Sequence, residues 1–192
     1  LLDICHLEYS LFPEINDDNN FDDKEFFINN CIPKSIFTFT VSNELKHQVE
    51  QFYPFLKNKL TVVPLSLNHF DYQKTEEIKN IKEENFIFYP AHYSAHKNHI
   101  SLLKALKYLK ENTDRKVKVV FCGHDKGNLG YLNKISNDFG LNDQVVFNRF
   151  ETKENVNNYY KNCSAVIFLS LFGPVNIPPL EAWHYKKPLI SN

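Results

Sequence analysis

From residue 86 onward short apolar runs alternate with segments of helical periodicity, and few folds satisfy that alternation. FIFYPA (86–91), KVKVVFCG (116–123), QVVFNRF (144–150), SAVIFLS (164–170) and PLISN (188–192) read as strands. Between them HISLLKALKYLKEN (99–112), NLGYLNKISNDFG (128–140), KENVNNYYKNC (153–163) and PLEAWHYKK (179–187) read as helices. Gly140 closes the second, and Thr152 caps the third. The strands are continuously apolar, so both faces of their sheet must be covered. The expectation is an α/β fold built on a parallel sheet. Such sheets bind ligands beyond the carboxyl ends of their strands, where this chain has PAHYSAHKNH, GHDKGN, RFET and LFGPVNIPP.

The first third carries a second β-α-β unit: strand IFTFTVS (36–42), helix NELKHQVEQFYPFL and strand LTVVPL (60–65). The polar run INDDNNFDD (15–23) reads as a flexible loop. DYQKTEEIKNIKEEN (71–85) is charged, has no apolar face, and reads as a linker. The expected division is therefore 1–70, a linker over 71–85, and 86–192.

A formal net charge of −1 gives no general attraction to nucleic acid or to an acidic membrane surface. No apolar run is long enough to span a membrane, and LLDICHLEYS lacks a basic leader, so a cytosolic protein is expected. Cys5, Cys31, Cys122 and Cys163 form no CxxC pair, and neither a zinc knuckle nor a disulfide framework is expected. Methionine is absent, even at position 1, and PLISN reads as a strand with no helix after it. The expectation is an incomplete chain.

Candidate chemistry lies in the loops. Pro178 and Pro179 fit a helix's first turn, Asn176 could cap it, and free amides there favour an anion such as phosphate. Glu181, about one turn in, either simply favours the helix N-terminus or accepts hydrogen bonds from hydroxyls, as an acid does for a ribose. Lys97 at the mouth of another helix is a point charge for a phosphate or a solvated surface lysine. His92, His96 and His99 crowd the same loop, but no HExxH and no carboxylate cluster accompanies them, so no metal is assigned. Arg149 is a third basic candidate, or half of an interdomain ion pair. No GxGxxG, GxxxxGK[ST] or GxSxG motif occurs, which disfavours a glycine-rich phosphate turn and a hydrolase elbow.

Taken in series, YPAHYSAHKNHISLLKAL, VVFCGHDKGNLGYL, VVFNRF and FGPVNIPPLEAW resemble the donor-binding domain of retaining nucleotide-sugar glycosyltransferases of the GT-B fold, the bacterial glycosyltransferase group 1 family. The resemblance covers residues 86–192. More loosely, FPEINDD, TFTVS, NELKHQVEQFYP and KLTVVPL resemble part of the family's N-terminal, acceptor-binding domain. It implies a GT-B type α/β chain: a Rossmann-like donor domain, C-terminally incomplete, plus part of an acceptor-side domain.

Position by position, the resemblance makes Glu181 the second glutamate of an E-x7-E signature, which binds the ribose. The first glutamate, facing the donor sugar, would stand at Gly173. Lys97 matches the basic residue that holds the diphosphate, and His92 replaces its usual arginine partner. Amides of Val175, Asn176 and Ile177 would cradle sugar and phosphate, Arg149 and Phe150 would flank the nucleobase, and His6 would be the acceptor-side histidine. The departures match a subgroup reading FGPxNxPPLEA after YPAxxxxHKNH. The implied reaction moves a sugar from a nucleotide diphosphate to a hydroxyl, with retention and without metal or cofactor. Its setting would be bacterial surface glycan synthesis at the inner face of the membrane. Implied partners are a nucleotide sugar and a glycan or lipid-linked acceptor, but no nucleic acid; peripheral membrane association would involve parts outside this chain. The rivals are a non-catalytic nucleotide-binding module, a GT-B epimerase and a structural α/β domain.

Overall fold

A computed structural model of the chain describes residues 1–15, 20–65, 85–149, 151–173 and 176–192. They fall into two compact units. The first contains 1–15 and 20–65 together with Phe172, Gly173 and Asn176; the second contains 85–149, 151–171 and 177–192. Of the linker expected over 71–85, residues 71–84 lie outside the described residues. Among these residues no helix is long and apolar enough to cross a membrane.

In the first unit, β1 (Thr38–Thr40) and β2 (Leu60–Val62) pair in parallel with Thr38 opposite Leu60. The helix between them, α3 (Asn43–Phe52), is capped by Ser42, whose hydroxyl accepts from the Leu45 amide at 3.1 Å. Helix α1 (Cys5–Glu8) precedes them, and Ile4, Ile28, Ile32, Leu45, Val49 and Leu56 close the core.

The loop expected over 15–23 is corrected in part: residues 20–23 open helix α2 (Asn20–Phe26). Asp22 and Asp23 lie in its first turn, where the helix dipole favours them. Tertiary partners complete it, because Lys24 pairs with Asp3 at 2.8 Å and the Glu25 carboxylate accepts from Tyr53. Composition is blind to such partners. Residues 16–19 lie outside the description.

The second unit is a five-stranded parallel sheet among the described residues: β3 (Phe86–Pro90), β4 (Lys118–Cys122), β5 (Val145–Asn148), β6 (Ala165–Phe168) and β7 (Leu189–Ser191). Their spatial order is β5-β4-β3-β6-β7. The helices are α4 (His99–Asn112), α5 (Leu129–Asp138), α6 (Lys153–Asn162) and α7 (Ile177–His184). Alternate side chains of β3 serve two cores. Ile87 and Tyr89 join Leu102, Leu106, Phe121 and Leu132 of one face, while Phe86 and Phe88 join Tyr160, Val166 and Ala182 of the other. That two-sided burial is why these strands lack polar alternation. A fully buried Phe88 or Phe121 stabilises by about 1.5–3 kcal/mol.

Several expected ends shift by one or two residues. The Thr152 hydroxyl does cap α6, accepting from the Asn155 amide at 3.2 Å. Gly140, at φ 63, donates its amide to Asn137 while Leu141 bonds back to Ser136, ending α5 as expected. Helix α7 starts two residues earlier than expected, so Pro178 and Pro179 occupy its first turn, where no amide is needed.

Candidate functional site

Strand order reverses at β3, whose neighbours β4 and β6 lead to opposite edges of the sheet. The loops leaving β3 and β6 therefore flank a crevice at a topological switch point, where sheets of this kind receive ligands. Two direct hydrogen bonds and a bridge through Tyr89 of β3 join the two loops. The Leu171 amide donates to the His96 carbonyl at 2.8 Å. Lys97 Nζ lies 3.2 Å from Ser170 Oγ and 5.3 Å from the centre of the Phe168 ring. The buried Tyr89 hydroxyl donates to the Lys97 carbonyl and accepts from the Leu169 amide at 3.1 Å. Lys97 is thus held at the crevice from both strands.

The electrostatics of this end are basic. Partial burial first, then the charges of Lys97, His96, Lys126 and His124, hold His92 below its ordinary pKa, although its side chain reaches solvent. An anion in the crevice would relieve that repulsion. The three loop histidines do not converge on a metal. His92 and His96 ring centroids are 6.4 Å apart, whereas His99 points into the core between Tyr89 (4.7 Å), Tyr93 and Phe121 (each 5.3 Å). Burial drives the His99 pKa down to about 3, outweighing the Ala91 backbone, which lies outside hydrogen-bond geometry with either ring nitrogen.

Asn176 stands just before α7, yet its buried Oδ1 accepts no hydrogen bond, so its expected capping bond is absent among the described residues. Ile177 is the first residue of α7. Glu181 lies on the next turn, half-buried, and accepts a hydrogen bond at Oε2 from the Tyr160 hydroxyl of α6. Burial raises its carboxyl above the ordinary value; the Tyr160 bond and the charge of His184 oppose this without overcoming it. Val175 and Phe150 lie outside the described residues.

Arg149 is mostly exposed, and its Nη2 lies 3.8 Å from Asp125 Oδ2, so its ion pair is formed within this unit. Asp125 also accepts from the Gly127 and Leu129 amides at the start of α5. Beside Arg149, Glu151 is held by Asn155 at 2.6 Å and by the Tyr159 hydroxyl at 3.1 Å. Burial, then Glu151, pushes Tyr159 up to about 12.

Two candidates belong to the first unit. His6 is fully buried, with Nε2 3.0 Å from Glu25 Oε1 and its ring edge-on to Phe21. Burial alone would raise the Glu25 carboxyl, but hydrogen bonds from Tyr53, His6 and Asn29 hold it below its ordinary value. Gly173 lines a cavity of about 280 Å³ with Tyr9, Ser42, Glu44 and Gln48. Its φ of 144 lies where side chains other than glycine's are strained. Placing glutamate there, Gly173→Glu, should lower the unfolding free energy by about 1–3 kcal/mol in chemical denaturation. An unchanged midpoint would show that the loop accommodates a side chain.

Sequence reasoning missed Ser170, Tyr89 and Tyr160. Tyr89 and Tyr160 carry a signal in retrospect, being phenols at core positions of an apolar strand and an amphipathic helix, and a buried phenol needs a hydrogen-bond partner. Ser170 had none beyond ending an apolar run.

Known proteins resemble this chain in sequence and in fold. The family model described as glycosyl transferases group 1 matches residues 71–192. The O-antigen chain mannosyltransferase RfbU of Salmonella typhimurium strain LT2 is 24% identical over 165 residues, covering 86% of this chain and 44% of that protein. The chain thus spans less than half the length of that relative. WaaG, a glycosyltransferase involved in lipopolysaccharide biosynthesis, matches 98% of this chain and 54% of its own with a TM-score of 0.72 at 16% identity. A mutant of S. aureus TarM, in complex with fondaparinux, alpha-GlcNAc-glycerol and UDP, matches 92% of this chain and 34% of its own with a TM-score of 0.68 at 13% identity. These likenesses give a GT-B type fold. With a sheet that reverses at β3, a lysine held at the switch point and a family model spanning most of the second unit, the chain belongs to the glycosyl transferases group 1 family.

Proposed function

We propose that the chain serves a retaining glycosyltransferase of the FGPxNxPPLEA subgroup, with a nucleotide-diphosphate sugar as donor and a hydroxyl of a growing bacterial surface glycan as acceptor. The observation that carries this reading is Lys97, held beside Ser170 at the sheet's switch point within a basic cluster. The leaving diphosphate gains negative charge as the glycosidic bond breaks, and a fixed ammonium beside helix amides stabilises that charge. The proposed site uses Lys97, His92 and the amides of Val175, Asn176 and Ile177 for the sugar diphosphate. Glu181 grips the ribose, and Arg149 and Phe150 flank the base.

No resident metal is required by this scheme. Gly173 leaves the position that faces the donor sugar without a carboxylate. On the acceptor side the proposed histidine is His6, which is fully buried with Nε2 beside Glu25, the carboxylate that also accepts from Tyr53. The UDP bound by TarM and the O-antigen chemistry in the name of RfbU accord with this donor and setting.

Calorimetric titration of the chain with UDP, GDP and ADP tests the reading. One nucleotide should bind, and Glu181→Ala and Lys97→Ala should each weaken it by about 1–3 kcal/mol, the worth of a hydrogen bond to a charged group. Failure of all three nucleotides to bind well-folded chain would sink the donor site and favour a structural domain. Binding without product from a labelled donor in the intact protein would favour a non-catalytic module.

A further inference from the structure

Tyr160 is 1% exposed on α6, its ring stacked on Tyr185 (5.2 Å, 8°) and edge-on to Phe88 (5.0 Å, 89°). A phenol so enclosed must bond within the protein, and its hydroxyl donates to Glu181 Oε2. Among the described residues Glu181 Oε1 accepts no hydrogen bond. We infer that Tyr160 is the positioning residue for Glu181: from within the α6–α7 packing its hydroxyl takes one carboxylate oxygen, leaving the other to accept from a ribose hydroxyl. This rests on the donor-site reading above.

The geometry supports the assignment in two ways. Two neighbouring rings fix the Tyr160 ring, so the hydroxyl is a stationary donor and the carboxylate it holds loses little freedom when a ligand arrives. The bond also favours the ionised form of Glu181 against the burial that opposes it. The titratable groups around this pair are His184 at the end of α7, Tyr185 and Lys187 just after it, Tyr160 on α6, Cys163 just after that helix, and Cys122 on β4. His184 helps Glu181 to ionise, whereas Tyr160 is the group that touches it.

The consequence is a pH-dependent ribose grip. Glu181 has a raised pKa, so lowering the pH protonates it and weakens its acceptance of ribose hydroxyls. Tyr160→Phe removes a bond to the charged form, so the carboxyl pKa rises further and the acid limb of nucleotide affinity moves to higher pH.

The test compares wild type, Tyr160→Phe and Glu181→Gln, using whichever of UDP, GDP and ADP binds wild type. Affinity is read by calorimetry across the pH range, and the Glu181 carboxyl is titrated by carbon-13 NMR without nucleotide. Tyr160→Phe should bind nearly normally at high pH and show an acid limb shifted up by about one pH unit, the size of one hydrogen bond to a charged group. Its NMR titration should shift equally. In Glu181→Gln the limb should vanish.

A folded Tyr160→Phe with the wild-type limb, or with affinity lowered evenly at every pH, would overturn the positioning role. If that variant fails to fold, a wild-type limb surviving in Glu181→Gln still overturns it. Absence of nucleotide binding by wild type would instead remove the donor-site reading. The NMR titration of the nucleotide-free chain would still show whether Tyr160 controls Glu181.

Discussion

Between pH 7 and pH 4 the second unit is expected to lose about 3 kcal/mol of stability through His99 alone. The ring is fully buried, and its folded pKa of about 3 lies below the ordinary 6.5. Across that interval the unfolded chain binds a proton that the folded chain refuses. Stability from this group is therefore full above about pH 6.5 and drains as the pH falls towards 3. His99→Phe keeps an aromatic ring between Tyr89, Tyr93 and Phe121 and has nothing to protonate. Urea unfolding of both proteins at several pH values isolates the contribution, because the other acidic and basic groups are common to both. Equal slopes of stability against pH would show that His99 takes up its proton in the folded state.

Replacing Gly123 is the second large effect. This residue follows β4, and a Cβ built on it would lie 2.2 Å from the Ala91 carbonyl oxygen and 2.7 Å from the His92 Cα. Both obstacles are backbone, so the β3 loop that carries Lys97 must shift for any side chain to fit. Gly123→Ala should cost about 3 kcal/mol, at the upper end for overpacking. It should also weaken nucleotide binding, although Gly123 has no assigned contact with ligand. Gly130 is the contrasting site, exposed on α5 with open space around it. Gly130→Ala should stabilise by about 0.5–1 kcal/mol, because alanine is the better helix former. Denaturation midpoints and calorimetry on the two variants test the pair. Similar midpoints would mean that the loop yields at little cost.

The legible part of the molecule was the part written in local pattern. Continuous apolar strands such as FIFYPA and SAVIFLS can only be buried on both faces, and HISLLKALKYLKEN carries its apolar residues at helical spacing. Thr152 and Gly140 announced a helix start and a helix end by their own chemistry. The helix at Asn20–Phe26 was hidden because its polar residues are satisfied by Asp3, His6 and Tyr53, which adjoin it only in space. His99 shows the same limit from the other side. It looked like its neighbours His92 and His96, yet it opens α4 facing the core and takes no part in the basic cluster's approach to solvent.

By itself, then, the sequence determined the α/β class, the parallel second sheet and the loops that must lie at its ligand-binding end. Those properties follow from periodicity, turn residues and caps, which act over a few residues. Only the tertiary structure decided the strand order with β3 at the reversal, the grip of Tyr89 and Ser170 on Lys97, and the bond from Tyr160 to Glu181. Lys97 and Ser170 are 73 residues apart along the chain, and Tyr160 and Glu181 are 21 apart. Pairings at that range are set by which faces pack together and leave no periodicity to read.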